Sequence, residues 1–176
     1  MLRDYLAPNL EIVFIGLNPG SYSDKMGHYF ARSTNLFWTA LYEGGLVTER
    51  LMPQDDVRMI DFGFGLTDLV PRVTPNIDTV TRAEFAAGGQ VLRAKIEQFA
   101  PRVACFVGIT GFRLAFEKDA ELGAQSSPLW GKTKLFIVPS TSPRNAYYRP
   151  QVIDWFKRLK AFHDDLVEAN GERSSP

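Results

Sequence analysis

The chain is poor in the residues that most catalytic and binding templates need. It has one cysteine, Cys105, in 176 residues. No internal disulfide can form, and a lone thiol inside the apolar run Val103-Ala104-Cys105-Phe106-Val107 reads as a buried strand residue in a reducing compartment. There are two histidines, His28 and His163, too far apart in sequence to give a zinc-ligand spacing with that cysteine. His163, beside Asp164 on the last helical stretch, is expected to face solvent. No apolar run has membrane-spanning length and no signal pattern opens the chain, so a cytoplasmic protein with no membrane partner is expected. Gly-x-x-x-x-Gly-Lys-Ser/Thr is absent, Gly63-Phe64-Gly65 lacks the third glycine of a dinucleotide fingerprint, and no Ser–His–Asp set is suggested. No metal or redox cofactor is expected. Net charge is lacking too, with 20 Lys/Arg against 20 Asp/Glu.

That balance hides an asymmetry. Residues 1–129 carry 12 Lys/Arg and 15 Asp/Glu, whereas residues 130–160 carry seven Lys/Arg and a single acid, Asp154. A basic segment of this kind is either a solvated helix face or a surface for an anionic partner. Arg144 and Arg149, which fall in a loop, favour the second.

Length and 45% hydrophobic content point to one domain, residues 1–170, with a disordered tail at 171–176. Residues 11–16, 102–107 and 135–138 read as strands, and Phe64 to Val70 as an extended segment entering a turn. Residues 17–34 read as a long irregular loop, a length that usually marks function. Ser33 or Thr34 would cap a helix through Asn35–Tyr42 that stops at Gly44-Gly45, and Pro53 opens a short one. Thr81-Arg82-Ala83-Glu84 is a capping box for a long helix. Gly108–Phe116 is a strand-to-helix turn with its helix, and residues 150–168 form the last helix, with Val152, Trp155, Phe156, Leu159, Phe162 and Leu166 as its core face. Strands alternating with helices imply an α/β fold: three layers, α/β/α, around a short, mainly parallel sheet.

The polar residues that remain gather at strand ends, where open α/β sheets bind ligands. The first group is Gly16-Leu17-Asn18-Pro19-Gly20, running on to Ser23. In this turn Asn18 alone has a side chain able both to donate and to accept hydrogen bonds. The second is Gly65-Leu66-Thr67-Asp68. The third is Pro139-Ser140-Thr141-Ser142-Pro143-Arg144-Asn145, rich in hydroxyls and suited to phosphate oxygens. Asp68 is open to three readings: a helix cap, an i,i+4 partner of Arg72, or a catalytic base. Asn18 is a reactive-site amide or one that merely bonds its own turn.

These residues, with Phe30-Ala31, Asn35-Leu36-Phe37-Trp38, Ala87-Gly88-Gly89 and Trp130-Gly131-Lys132 in the same order, resemble the mismatch-specific uracil-DNA and thymine-DNA glycosylases of the uracil-DNA glycosylase superfamily. The likeness spans roughly residues 11–165. It implies an enzyme that flips uracil, chiefly from G·U pairs, out of duplex DNA and hydrolyses the N-glycosidic bond, leaving an abasic site. It implies that Asn18 holds the attacking water, and that Phe30 stacks on the flipped base. Gly16, Leu17, Gly20 and Ser23 would line the base pocket. Ser140, Ser142, Pro143, Arg144 and Asn145 would enter the minor groove, with Arg144 filling the vacated space. Asp68 departs from the resemblance, whose members have an uncharged or basic residue there, and a carboxylate would supply the base that an amide cannot be. The expected partner is double-stranded DNA containing uracil or mismatches. The expected state is a monomer, cytoplasmic in a bacterium and working at the nucleoid. Two other classes stay open: a non-catalytic binder of damaged DNA, and a nucleotide- or phosphate-binding α/β enzyme.

Overall fold

A computed structural model describes residues 1–75, 77–144 and 147–171. Five strands form one sheet: β1 (Ile12–Gly16), β2 (Phe64–Asp68), β3 (Val103–Val107), β4 (Gly123–Trp130) and β5 (Thr133–Val138), in the order β2-β1-β3-β5-β4. β2, β1, β3 and β5 run parallel and β4 is antiparallel at the edge. β1, β2 and β3 are buried at every position, as strands covered on both faces must be.

Helices lie on both sides of the sheet. On one side, α2 (Phe37–Glu43) and α5 (Arg149–Ala169) pack over Phe14, Phe64 and Phe136. On the other, α3 (Arg82–Phe99) and α4 (Ile109–Ala115) pack over Val13, Ile15 and Phe106. The expected three-layer α/β/α architecture with a mainly parallel sheet is therefore present. Among the described residues no helix is long and apolar enough to cross a membrane.

The Thr81–Glu84 capping box is formed, with Glu84 N–H donating to Thr81 Oγ1 and Thr81 N–H to the Glu84 carboxylate. Several local expectations are corrected. Residues 17–34 are not wholly irregular, because Ser21–Met26 form a short helix, α1, that buries none of its residues. With no apolar face, it left no periodicity to read. Leu36 is the N-cap of α2 and caps with no side chain; Asn35, one residue earlier, accepts the Phe37 N–H on Oδ1 at 2.9 Å, and neither Ser33 nor Thr34 caps the helix. Residues 53–62 form a 3-10 helix that ends at left-handed Gly63. On α5, Val152, Phe156 and Leu159 are fully buried, while Trp155, Phe162 and Leu166 pack against the core only partly covered.

Chain order runs from β1 outward to β2, then back across β1 to β3. The reversal lies between β1 and β3, and in doubly wound sheets a crevice opens at the carboxyl ends of the strands at such a point.

Candidate active site

A cleft of ≈ 730 Å³ opens there. Gly16 to Ser23 line it from the end of β1, Asp68 from the end of β2, Val107 from the end of β3, and Ser140 to Arg144 from beyond β5. The three loops singled out in the sequence thus meet at one place. Pairing that continues past the strands braces them. Leu69 N–H donates to the Gly16 carbonyl at 2.9 Å and Val70 N–H to the Leu17 carbonyl at 3.0 Å.

β1 and β2 are in register so that Gly16 faces Asp68. The absence of a side chain at residue 16 has a direct use. A Cβ there would collide with Asp68 Oδ1 and come 3.7 Å from the tip of the Phe30 ring. The carboxylate and the aromatic therefore close together over a bare stretch of backbone. Gly20 is different: its φ is −71°, and nothing lies within 4 Å of where its Cβ would stand. Its carbonyl instead accepts the Asp24 N–H at 3.0 Å and starts α1. Leu17 borders the cleft but packs its side chain onto Gly111 of α4.

Asn18 is held by a residue that the sequence did not single out. Its Nδ2 donates to Thr74 Oγ1 at 2.8 Å and to the Pro19 carbonyl at 3.3 Å. A carbonyl can only accept, so the amide atom facing Pro19 must be the nitrogen, which fixes the orientation of the amide. Both amide hydrogens are then committed. Among the described residues, Oδ1 meets no donor and remains an acceptor on the cleft side. Thr74 is 3% exposed, and its backbone pairs with the same turn through the Thr74 N–H and the Pro19 carbonyl. The irregular, proline-flanked run after β2 was its only trace in the sequence.

Asp68 is 8% exposed. Burial pushes its carboxyl up to about 7, reinforced by the Asp4 carboxylate and opposed by the Lys95 ammonium. Asp4 itself is paired, accepting from Thr67 Oγ1 at 2.7 Å and from Lys95 Nζ at 2.6 Å. The expected alternative for Asp68, an ion pair with Arg72, is not formed. Arg72 binds Glu84 at 2.6 Å and the Thr79 carbonyl. Burial thus brings Asp68 toward the physiological range, on a cleft it shares with an amide that offers only an acceptor. Strongly perturbed carboxyls in clefts are where proton-transfer groups are found.

Phe30 adopts a left-handed backbone, φ 51°, which is unusual for an aromatic residue. Its ring stacks on Phe37 with centroids 4.1 Å apart and planes 22° apart, and borders the cleft. Ser23 lines the cleft as well, and its Oγ accepts the Ala31 N–H at 3.2 Å. On the opposite rim, Ser142 N–H donates to Ser140 Oγ at 3.3 Å and Arg144 N–H to Ser142 Oγ at 3.4 Å, so hydroxyls shape this loop. Pro143 and Arg144 are exposed. No ion pair holds Arg144 among the described residues, and Asn145 lies outside them.

One sequence expectation about charge is narrowed and one corrected. Three of the seven cations of the basic segment are paired, Arg149 with Glu43 at 2.5 Å, Arg158 with Asp154 at 2.8 Å and Lys160 with Asp164 at 2.6 Å, while no ion pair holds Lys132, Lys134, Arg144 or Lys157 among the described residues. His163 is not solvent-facing. Its side chain is 17% exposed and its Nε2 lies 2.5 Å from Glu11 Oε2, tying α5 to the start of β1. Glu11 also accepts from Arg102 at 2.9 Å.

No group of three or more potential metal ligands occurs among the described residues. A sequence profile described as the Uracil DNA glycosylase superfamily matches residues 3–166. That span covers the sheet, every loop of the cleft and the helices that support them, and the chain belongs to the uracil DNA glycosylase superfamily.

Proposed function

We propose that this superfamily member is a monofunctional DNA N-glycosylase, a single domain over residues 1–170 that acts as a monomer on uracil in duplex DNA, chiefly in G·U pairs. The observation that carries the reading is the pair of oxygen acceptors, Asn18 Oδ1 and the Asp68 carboxylate, bordering one cleft beside the Phe30 ring.

In this reading the flipped base stacks on the free side of Phe30, whose other side rests on Phe37. The C1′–N1 bond breaks with its electron pair passing to the pyrimidine, and positive charge builds on the sugar. The water oxygen bonds to C1′. Asn18 Oδ1 orients that water, and the Asp68 carboxylate takes its proton. An amide has no basicity for that transfer, whereas a carboxyl poised near 7 is matched to it. The ionised carboxylate also offsets the charge of the cationic sugar. No lysine lines the cleft among the described residues, which supports simple hydrolysis over Schiff-base chemistry. Arg144, exposed at the rim, enters the minor groove and fills the gap the base leaves, with Ser140 and Ser142 shaping the loop behind it.

The test uses end-labelled duplexes with G·U, G·T or A·U pairs and a uracil-containing single strand. Each is incubated with the wild type, Asn18→Ala or Asp68→Asn, then cleaved with alkali at abasic sites. Strand breaks on G·U with the wild type, reduced by about 10²-fold or more in Asp68→Asn, are expected. Binding to the G·U duplex with no base released would replace the reading by a silent damage binder. Neither binding nor release would replace it by a small-molecule enzyme.

A further inference from the structure

Asp56 has no part in the chemistry above, yet it is 1% exposed, a place carboxylates seldom occupy without a task. It sits on the 3-10 helix of residues 53–62. Its Oδ2 accepts the Tyr29 backbone N–H at 3.0 Å. Its Oδ1 lies 3.3 Å from His28 Nδ1, within ion-pair range but without hydrogen-bond alignment. These two contacts fall on the two residues before Phe30, and the Tyr5 hydroxyl also interacts with the Asp56 carboxylate.

Two further side chains act on the same stretch. Trp38 Nε1 donates to the Tyr29 carbonyl at 3.2 Å, and Ser23 Oγ accepts the Ala31 N–H at 3.2 Å. The peptide groups before and after Phe30 are each pinned, by residues from different elements. Between them Phe30 holds φ at 51°, a conformation that persists in a bulky residue only where the surroundings over-determine it. Asp56 holds the peptide one step further back, between His28 and Tyr29, from the segment that leads into β2 and Asp68.

We propose that Asp56 is a positioning residue for base recognition: by fixing the Tyr29 N–H it anchors the stretch in which Trp38 and Ser23 hold the two peptides around left-handed Phe30, so that the ring presents a face to the flipped base. The inference rests on the reading of Phe30 as the stacking aromatic. Asp56 acts as an acceptor of fixed position, and its charge is not required.

The experiment is a double-mutant cycle on uracil release from a G·U duplex, with wild type, Phe30→Ala, Asp56→Ala, the double variant and Asp56→Asn. In parallel, binding is measured to a duplex with a tetrahydrofuran abasic analogue, which has no base to stack. Phe30→Ala is expected to lower release about 10- to 100-fold, and Asp56→Ala about 10-fold. The double variant should match Phe30→Ala alone, and Asp56→Asn, which keeps an acceptor, should stay within about threefold of wild type. Abasic-duplex binding should be unchanged in all. Equal losses from Asp56→Ala with and without Phe30, or a parallel loss of abasic binding, would overturn the proposal and leave Asp56 a residue of the fold. A loss in Asp56→Asn as large as in Asp56→Ala would also overturn it. If Asp56→Ala does not fold, Asp56→Leu, which keeps the volume but offers no acceptor to the Tyr29 N–H, enters the same cycle with the same criteria. A wild type that releases no base, or a Phe30→Ala variant that releases it normally, removes instead the reading beneath the inference and overturns both.

Discussion

Replacing Asp68 by asparagine separates what the carboxylate does for chemistry from what it costs the fold. Burial, reinforced by Asp4, moves the carboxyl from 3.8 to about 7. A folded-state value above the unfolded one means that the native protein binds this proton more tightly. The stability that comes with it is fully present below about pH 4 and is lost as pH rises through about 7. The gap is about three units, and at about 1.36 kcal/mol per unit the ionised carboxylate costs the fold about 4 kcal/mol at pH 8. Asparagine keeps the shape and does not titrate. The stability of Asp68→Asn minus that of wild type should therefore be smallest near pH 4, rise between pH 4 and 7, and level off above, at up to about 4 kcal/mol. Taking the difference cancels carboxyls of opposite sign, such as Glu84, held down at about 2 by its hydrogen bonds from Arg72 and Thr81. Urea unfolding at four pH values between 4.5 and 8.5 measures it. Activity should move the other way: single-turnover release by wild type climbs with a midpoint near pH 7, while Asp68→Asn is slow and flat. Parallel stability curves for the two proteins would refute the burial argument. Near-full activity of Asp68→Asn at pH 8 would sink the assignment of Asp68 as base.

Thr74→Val removes the acceptor that commits the Asn18 amide, and should slow release about 10-fold at saturating DNA with little change in KM; Thr74→Ser should restore it, and a KM effect alone would count against the orienting role. Arg144→Ala should weaken duplex binding and make the salt dependence of log K shallower by about one ion, read from titrations at several salt concentrations. Gly16→Ala places a methyl where Asp68 Oδ1 sits; it should cost about 1–3 kcal/mol in urea unfolding and reproduce the activity loss of Asp68→Asn, and wild-type activity would show that the carboxylate can move without consequence. Thr81→Ala breaks the capping box of α3 and should lose about 1 kcal/mol with release unchanged, because the start of α3 does not border the cleft.

β1 and β3 were legible because strands buried on both faces need unbroken apolar runs, and Ile12-Val13-Phe14-Ile15 and Val103 to Val107 supply them. The start of α3 was legible because a capping box is a local device. β4 was not: Gly123 to Trp130 is an edge strand with serine, proline and only its two ends buried, so neither alternation nor an apolar run marks it. The N-cap of α2, Leu36, was misplaced by two or three residues, since it caps with no side chain and Asn35 before it bonds forward just as a serine or threonine would. In the cleft, residues at strand ends could be picked out because topology sends strand ends to one place. Thr74 and Asp56 could not, because each acts through a contact 56 or 27 residues away in sequence. The basic segment was legible only in part for the same reason: the sign of a residue is local, while the partner that cancels it, Glu43 for Arg149, is not.

In the proposed reaction Asn18 and Asp68 act on one water, Asp68 as its base. Thr74 and Pro19 use both amide hydrogens of Asn18, so the amide can only accept. Above about pH 7 the Asp68 carboxylate is acceptor-only as well. A water that donates one hydrogen to each has no hydrogen left for the substrate. In the proposed reaction its lone pairs are left for the sugar carbon. Protonating Asp68 turns one acceptor into a donor, and that O–H claims a lone pair of the same water. One proton then removes both the base and the orientation of the nucleophile. Loss of Asn18 Oδ1 removes orientation alone, because the carboxylate still holds and deprotonates the water. Asn18→Ala should therefore keep the midpoint near pH 7 at a reduced plateau, whereas Asp68→Asn should lose the midpoint altogether.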